Sequence, residues 1–234
     1  VVSKKYWEKP IVEFVNLVNQ VKKKNWVEIL GIRFQVLPEV FSPVYSSDTA
    51  WFAEKLVPLT KNKKFLEIGS GAGVIACLAS MNGAAHVTAT DINPKAIENI
   101  LVNTKLHSTT IIVKEGSVFD PITKGELFDV IFWNHPFYYT HKKFSKDDRV
   151  ALSVYDTEYQ FLKKFLRDGK TYLDTKGKLL LGTSNVARIN LIKQLAREEG
   201  YRASLLEKVE VPIYKGKKVK MDLRIYAFER TSGN

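Results

Sequence analysis

The chain has 234 residues, of which 45% are hydrophobic and 26% charged, a composition that excludes a disordered tail, a fibrous repeat and a disulfide scaffold. One cysteine, Cys77, admits no disulfide framework, the four histidines (86, 107, 135 and 141) lack metal-ligand spacing, and no apolar run nears the roughly 18 residues of a membrane span. The formal net charge of +11 points to an anionic partner if folding gathers the lysines on one face, and with no signal-peptide pattern the expectation is a reducing, cytoplasmic setting.

Residues 6 to 21 place Tyr6, Ile11, Phe14, Val15, Val18 and Val21 at helical spacing, which predicts an amphipathic helix that ends in Lys22, Lys23 and Lys24. Residues 26 to 30 and 32 to 37 flank Gly31 as a hairpin. Helix and hairpin make an N-terminal extension over residues 1 to 40, ahead of a main domain over 41 to 234. Whether the extension walls a substrate site or caps a sheet edge is open at this level. Phe41, Ser42 and Pro43 lead into a polar turn through Ser46, where Ser47 or Asp48 can cap a helix over 50 to 56.

Phe65, Leu66 and Ile68 read as a buried strand, Gly69, Gly71 and Gly73 as a glycine-rich turn, and residues 74 to 79 as the helix that leaves it. Asp91 follows the apolar run 85 to 90 and ends a second strand, where a carboxylate can accept hydrogen bonds from both ribose hydroxyls of a nucleoside. Glu67 adds a second acid. Two carboxylates would repel a pyrophosphate but favour a cationic ligand, so the pair leans to S-adenosylmethionine and away from a nicotinamide dinucleotide.

Asn93 and Pro94 give a cap and a first helical proline, predicting a helix over 94 to 105. A third strand covers 110 to 114 and a fourth 128 to 133; the fourth is apolar on both faces, as a central parallel strand must be, and delivers Asn134 to the carboxyl edge of the sheet. Residues 138 to 152, polar, aromatic and basic with Lys142, Lys143 and Lys146, suit a lid. A helix over 158 to 166, a fifth strand over 178 to 183, a helix over 186 to 199 capped by Asn185, and strands 202 to 211 and 219 to 228 around a turn at 212 to 218 complete the pattern.

Glu67-x-Gly69-x-Gly71-x-Gly73, then Asp91, then Asn134-His135-Pro136-Phe137 resembles the class I S-adenosylmethionine-dependent methyltransferases. Within these it is similar to the group with an Asn-Pro-Pro-Tyr or Phe tetrapeptide: release-factor glutamine methyltransferases, ribosomal RNA guanine methyltransferases and adenine amino-methyltransferases. The likeness covers about residues 41 to 229. It implies an α/β fold with a Rossmann-like seven-stranded sheet, helices on both faces and a C-terminal antiparallel hairpin. It also implies that Glu67, Gly69, Gly71, Gly73, Asp91 and Ile92 hold S-adenosylmethionine, with Ser117 and Val118 near the adenine and Thr49, beside Asp48, in a helix that closes over the cofactor. Ala151, Leu152 and Asp156 resemble a stretch of the glutamine methyltransferases whose glycines are missing here, and His135 stands where the group has proline.

Methylating an amide or aromatic amine is hard because the nitrogen lone pair is delocalised. Two acceptors gripping both N–H groups, Asn134 Oδ1 and the His135 carbonyl, would turn the lone pair toward the methyl, with Pro136 aiming that carbonyl and Phe137 offering a flat face for stacking. The His135 ring is not needed as a proton carrier. The reading is an N-methyltransferase acting on an exocyclic amine of RNA or a ribosome-associated substrate. A protein glutamine amide is the alternative, and a non-catalytic RNA-binding module and an NAD-dependent oxidoreductase are the rivals from other classes.

Overall fold

Strands that are apolar on both faces must be covered on both faces, and helices alternating with them in sequence supply the cover. The computed structural model describes residues 5–21, 23–45, 47–145, 147–212 and 219–231, without the side chains of 5–8, 14 and 19. The expectations for the side chains of Tyr6 and Phe14, for Lys22, Ser46 and Lys146, and for the loop at 213–218 lie outside the described residues.

The chain runs α1 (Lys5–Asn19), β1 (Asn25–Ile29), β2 (Ile32–Val36), α2 (Asp48–Leu56), β3 (Lys64–Ile68), α3 (Val74–Met81), β4 (His86–Asp91), α4 (Pro94–Leu106), β5 (Ile112–Glu115) and β6 (Phe128–Asn134). It continues through β7 (Tyr138–Thr140), α5 (Arg149–Leu152), β8 (Tyr155–Thr157), α6 (Gln160–Tyr172), β9 (Leu173–Ser184), α7 (Ile189–Glu198), β10 (Tyr201–Pro212) and β11 (Lys220–Arg230). Seven strands form one sheet in the order β10-β11-β9-β6-β3-β4-β5. The five from β9 to β5 are parallel, while β11 runs antiparallel to both β9 and β10. This is the Rossmann-like seven-stranded sheet with a terminal antiparallel hairpin that the resemblance implies.

The two faces of the sheet carry separate cores. Phe65, Phe132 and Leu180 pack with Phe52, Ile75 and Ile100 from α2, α3 and α4. Leu66, Ile131, Trp133, Leu179 and Leu181 pack with Leu162, Phe165, Ile192 and Leu195 from α6 and α7. Adjacent residues of β3 and β6 thus point to opposite cores, as a strand's period of two requires.

The β1–β2 hairpin is fastened to this frame by side-chain amides. Leu30 and Gly31, both at positive φ (50° and 78°), make the two-residue turn that matches the twist of the β1–β2 hairpin. Among the described residues no strand lies beside the outer edge of β2, and two asparagines of α4 take its place. Asn103 accepts from the Gln35 N–H (2.9 Å) and donates to the Gln35 and Ala72 carbonyls (2.8 Å each). Asn99 accepts from the Leu37 N–H (2.8 Å) and donates to the Gln35 carbonyl (2.8 Å). Both asparagines are fully buried, and satisfying their amides in this way avoids the cost of burying unpaired polar groups.

Two capping expectations are corrected. Asn185 does not cap α7, which begins later at Ile189. Its backbone N–H donates to the Asp222 carbonyl (3.0 Å) and its Oδ1 accepts from the Asp222 N–H (2.9 Å), so it extends the sheet toward β11 instead. Ser47 makes no side-chain capping bond at α2. At Asn185 tertiary pairing won over local capping. The segment expected as a lid is built into the fold at each end: β7 pairs in parallel with β8, and α5 carries Arg149 to a salt bridge with Glu39 at 3.1 Å.

Candidate functional site

β3, β4 and β5 step to one side of the sheet, and β6 then inserts on the other side of β3, so the chain reverses direction between β3 and β6. Open α/β sheets bind ligands at the carboxyl ends flanking such a reversal. The register sets Ile68 beside Trp133 and Asn134 beside Gly182, which brings the glycine turn after β3 next to the tetrapeptide after β6. A cavity opens there, lined by Glu67, Gly69, Gly71, Asp91 and Ile92, by Ser117 and Val118, by Asp48 and Thr49, and by Asn134, His135, Pro136 and Phe137.

Of the residues expected to hold the cofactor or the acceptor nitrogen, all but one therefore share a single cavity. Gly73 is the exception. It sits behind the wall at φ 76°, where an added Cβ would lie 3.1 Å from the Ile100 Cα, so its part is to let α3 approach α4. Gly71, by contrast, is at φ 57° with open space where a Cβ would be, so a ligand can reach its backbone. An added Cβ on Gly69 would meet the Trp133 indole nitrogen at 2.9 Å.

The two acids of the cradle are held by backbone and hydroxyl donors of nearby chain. Glu67, only 4% exposed, accepts at Oε2 from the Ser70 hydroxyl (2.5 Å) and the Ala76 N–H (2.9 Å). Burial pushes its carboxyl up to about 8, against the lowering effect of these two donors. Asp91 accepts from the Gly71 N–H at Oδ2 (2.9 Å) and from the Asn93 N–H at Oδ1 (2.8 Å). Burial raises its pKa too, opposed by the N–H groups of Asn93, Gly71 and Ile92. A cationic ligand would relieve the cost of two buried, neighbouring carboxylates, so the residues present suit a sulfonium-bearing nucleoside.

The tetrapeptide is arranged differently. Asn134 donates from Nδ2 to Asp48 Oδ2 at 3.1 Å, while its Oδ1 is buried and accepts no hydrogen bond among the described residues. The His135 carbonyl likewise receives no donor among them. The His135 ring is 2% exposed; its Nε2 meets the Thr183 hydroxyl at 2.8 Å, and its ring lies edge-on to Trp133, Phe137 and Tyr159. Burial pulls its pKa down to about 3, so the imidazole is neutral at physiological pH and serves as packing. Tyr159 donates from its hydroxyl to the Phe137 carbonyl (3.2 Å) and accepts from the Arg188 N–H (2.9 Å), which steadies the backbone after Pro136.

Sequence reasoning missed several lining residues. Ile11 of α1, Val40, Phe41 and Pro43 of the loop after the hairpin, Arg149 and Leu152 of α5, and Val154 also line the cavity. Of these, Phe41 and Pro43 lay in a turn flagged by sequence, Ile11 in the expected N-terminal helix, and Arg149 and Leu152 in the segment expected as a lid, none with a site role. Asp156, expected from the resemblance, lies outside the cavity and accepts from the N–H groups of Phe161 (3.2 Å) and Leu162 (3.0 Å) at the start of α6. Among the described residues no cluster of His, Cys, Asp and Glu could hold a metal, and no helix is long and apolar enough to cross a membrane.

A family profile described as the methyltransferase small domain matches residues 31–201. A protein of Methanocaldococcus jannaschii, provisionally named as a protein N5-glutamine methyltransferase, is 30% identical over 196 residues, which is 80% of this chain and 93% of that protein. A release factor glutamine methyltransferase of Aquifex aeolicus is 25% identical over 192 residues, 77% of this chain and 67% of its own length. Among solved structures, a 16S rRNA N2 methyltransferase of T. thermophilus in complex with AdoMet and guanosine matches with a TM-score of 0.64 at 17% identity, over 89% of this chain and 50% of that one. At that identity the likeness is one of fold, and the chain spans half of that protein.

Proposed function

The chain belongs to the methyltransferase small domain family, and from that membership we propose that it methylates the NH₂ nitrogen of a protein glutamine side chain. It is an S-adenosylmethionine-dependent N-methyltransferase; the substrate, the residue roles and the division of the chain at residue 40 are the proposal. When bound, the cofactor supplies a methyl group on a positively charged sulfur. Glu67 and Asp91 would hold its amino group and its ribose hydroxyls, with Gly69 and Gly71 giving backbone access and Ile92, Ser117, Val118 and Thr49 forming the remaining walls.

The observation that carries the proposal is the buried Asn134 Oδ1, which has no donor among the described residues. An acceptor left unpaired in a folded protein costs about 1–3 kcal/mol, which an incoming N–H would recover. With the His135 carbonyl as second acceptor, both hydrogens of a planar NH₂ group are gripped, and the nitrogen lone pair is left facing the methyl donor. Phe137 supports the flat group from the side. Placement of this kind can contribute roughly 7–11 kcal/mol to the rate, and no side-chain base is required, because the proton can leave to water once the nitrogen is cationic.

Net charge alone favours an RNA amine. Two observations support the glutamine amide over it. The curated relatives above are named as glutamine methyltransferases, and no lysine among the described residues lines the cavity, where Arg149 is the one basic side chain among them. Lys55 and Lys95 pair instead with carboxylates of their own helices, Glu54 and Glu98, and Lys208 and Lys220 with Asp222 and Glu210 across the β10–β11 hairpin. An exocyclic RNA amine is the second reading, carried by the net charge of +11. Tritiated S-adenosylmethionine incubated with the protein and fractionated cell extract decides between them. Label released by protease and resistant to nuclease is the expected result; label released by nuclease would establish the second reading, and no incorporation in any fraction would end both.

A further inference from the structure

We propose that Asp48 is a positioning residue that sets the hydrogen-bond polarity of the acceptor site, by locking the Asn134 carboxamide with its oxygen toward the cavity. The inference rests on the reading of Asn134 given above and deepens it. A carboxamide is nearly symmetric in shape, so packing alone cannot choose which end faces the substrate. A carboxylate can choose, because it only accepts. With Asp48 Oδ2 at 3.1 Å from Nδ2, the flipped amide would set an oxygen against an oxygen, and the unflipped one leaves Oδ1 as the unpaired buried acceptor.

Asp48 is suited to this task. It is 3% exposed and sits at the first turn of α2, where the helix dipole favours negative charge. The Thr49 N–H donates to its Oδ1 at 2.7 Å and the Thr49 hydroxyl adds a longer contact at 3.4 Å, so Oδ1 is anchored to the helix and Oδ2 is turned to Asn134. The two residues are 86 positions apart, and no local turn rule brings them together. The consequence is a substrate class: the site takes an NH₂ donor and rejects a group that presents only a carbonyl or ether oxygen, because such a group would face Asn134 Oδ1 acceptor to acceptor.

The test uses three variants and two readouts. Asp48→Leu removes the acceptor at similar volume, Asn134→Asp places two carboxylates in contact, and the double variant Asp48→Asn/Asn134→Asp reverses the pair while keeping both the hydrogen bond and an outward-facing oxygen. With tritiated S-adenosylmethionine and the responding extract fraction, Asp48→Leu and Asn134→Asp are each expected to lose about a hundredfold in methyl transfer, with cofactor affinity by calorimetry unchanged. The double variant is expected to regain roughly tenfold over Asn134→Asp alone, which a purely structural Asp48 would not produce. Full transfer by Asp48→Leu, loss of cofactor binding together with transfer, or no recovery in the double variant would overturn the proposal.

The second readout needs no substrate. In ¹⁵N-labelled protein the Asn134 side-chain NH₂ signal, identified by its disappearance in Asn134→Asp, is expected to exchange slowly with solvent and to exchange about tenfold faster in Asp48→Leu. Fast exchange in the unaltered protein, or no change in the leucine variant, would remove Asp48 from its role even if methyl transfer stands. Slow exchange with no methyl acceptor found would instead count against the proposed function alone. Should Asp48→Leu fail to fold, the double variant still decides, because it retains the bond.

Discussion

The two sides of the cavity are built in opposite ways. The glycine side is local in sequence: Glu67, Ser70, Gly71, Ala76, Asp91 and Asn93 satisfy one another within 27 positions. The acceptor side centres on Asn134 and Asp48, 86 positions apart, and keeps a buried oxygen that accepts no hydrogen bond among the described residues; α1, the loop before α2 and α5 add further lining to the cavity. The contrast teaches that a cradle for a constant ligand can be completed in advance by nearby backbone. A site that must grip a variable partner instead leaves one acceptor unpaired and draws its walls from far along the chain.

The sharpest way to break this comparison is to damage each side separately. Asn134→Ala should lower methyl transfer by about 10²–10³, the scale of losing one oriented polar group in a water-excluded site, and leave cofactor affinity by calorimetry nearly unchanged. Glu67→Gln should weaken cofactor binding first. If both variants lost cofactor and transfer together, the two sides would not be separable.

Gly73→Ala tests the scaffold beneath the glycine side. Alanine at φ 76°, with the Ile100 Cα 3.1 Å from its Cβ, should cost about 1–3 kcal/mol. At this chain length that is a fall of roughly 2–4 °C in melting midpoint per kcal/mol. An unchanged midpoint would mean that α3 and α4 adjust freely.

Glu67 also sets a pH dependence. Its folded pKa of about 8 lies above its ordinary value of 4.5, so between these values the folded state binds more protons than the unfolded one. Stability of the cofactor-free protein should therefore fall as pH rises from about 4.5 to 8 and flatten above it. Glu67→Gln should remove that part of the slope in a series of thermal melts. A cationic ligand favours the ionised carboxyl, so binding should release protons near pH 7, a quantity readable from calorimetry in buffers of different ionisation enthalpy.

The smallest effect is expected at α5. The Arg149–Glu39 pair is partly exposed and should contribute only about 0–1 kcal/mol, so Arg149→Ala should scarcely move the melt. A drop in methyl transfer much larger than that would make α5 a working part of the acceptor wall.

The strand at 64 to 68, the glycines, Asp91 and the apolar strand ending in Asn134 were all legible because each depends on short-range rules: strand patterning, glycine at positive φ, and an acid at a strand end. The number of strands and the closing antiparallel hairpin also followed from the resemblance, while the order of the strands across the sheet came only with the structure. The asparagine pair on α4 that closes the edge of β2 was not legible, because Asn99 and Asn103 read locally as ordinary polar positions on a helix. Asn185 misled for the reverse reason: its local signal was a cap, and β11 took its hydrogen bonds.

The sequence by itself determined the α/β class, the glycine cradle and the identity of the tetrapeptide, because backbone conformation and burial period act over a few residues at a time. Only the tertiary structure decided that Asp48 meets Asn134, that Ile11 and Arg149 reach the cavity, and that His135 turns into the core. Those contacts join segments tens of residues apart, and their distances are set by how helices and hairpin pack on the sheet rather than by any pattern within one segment.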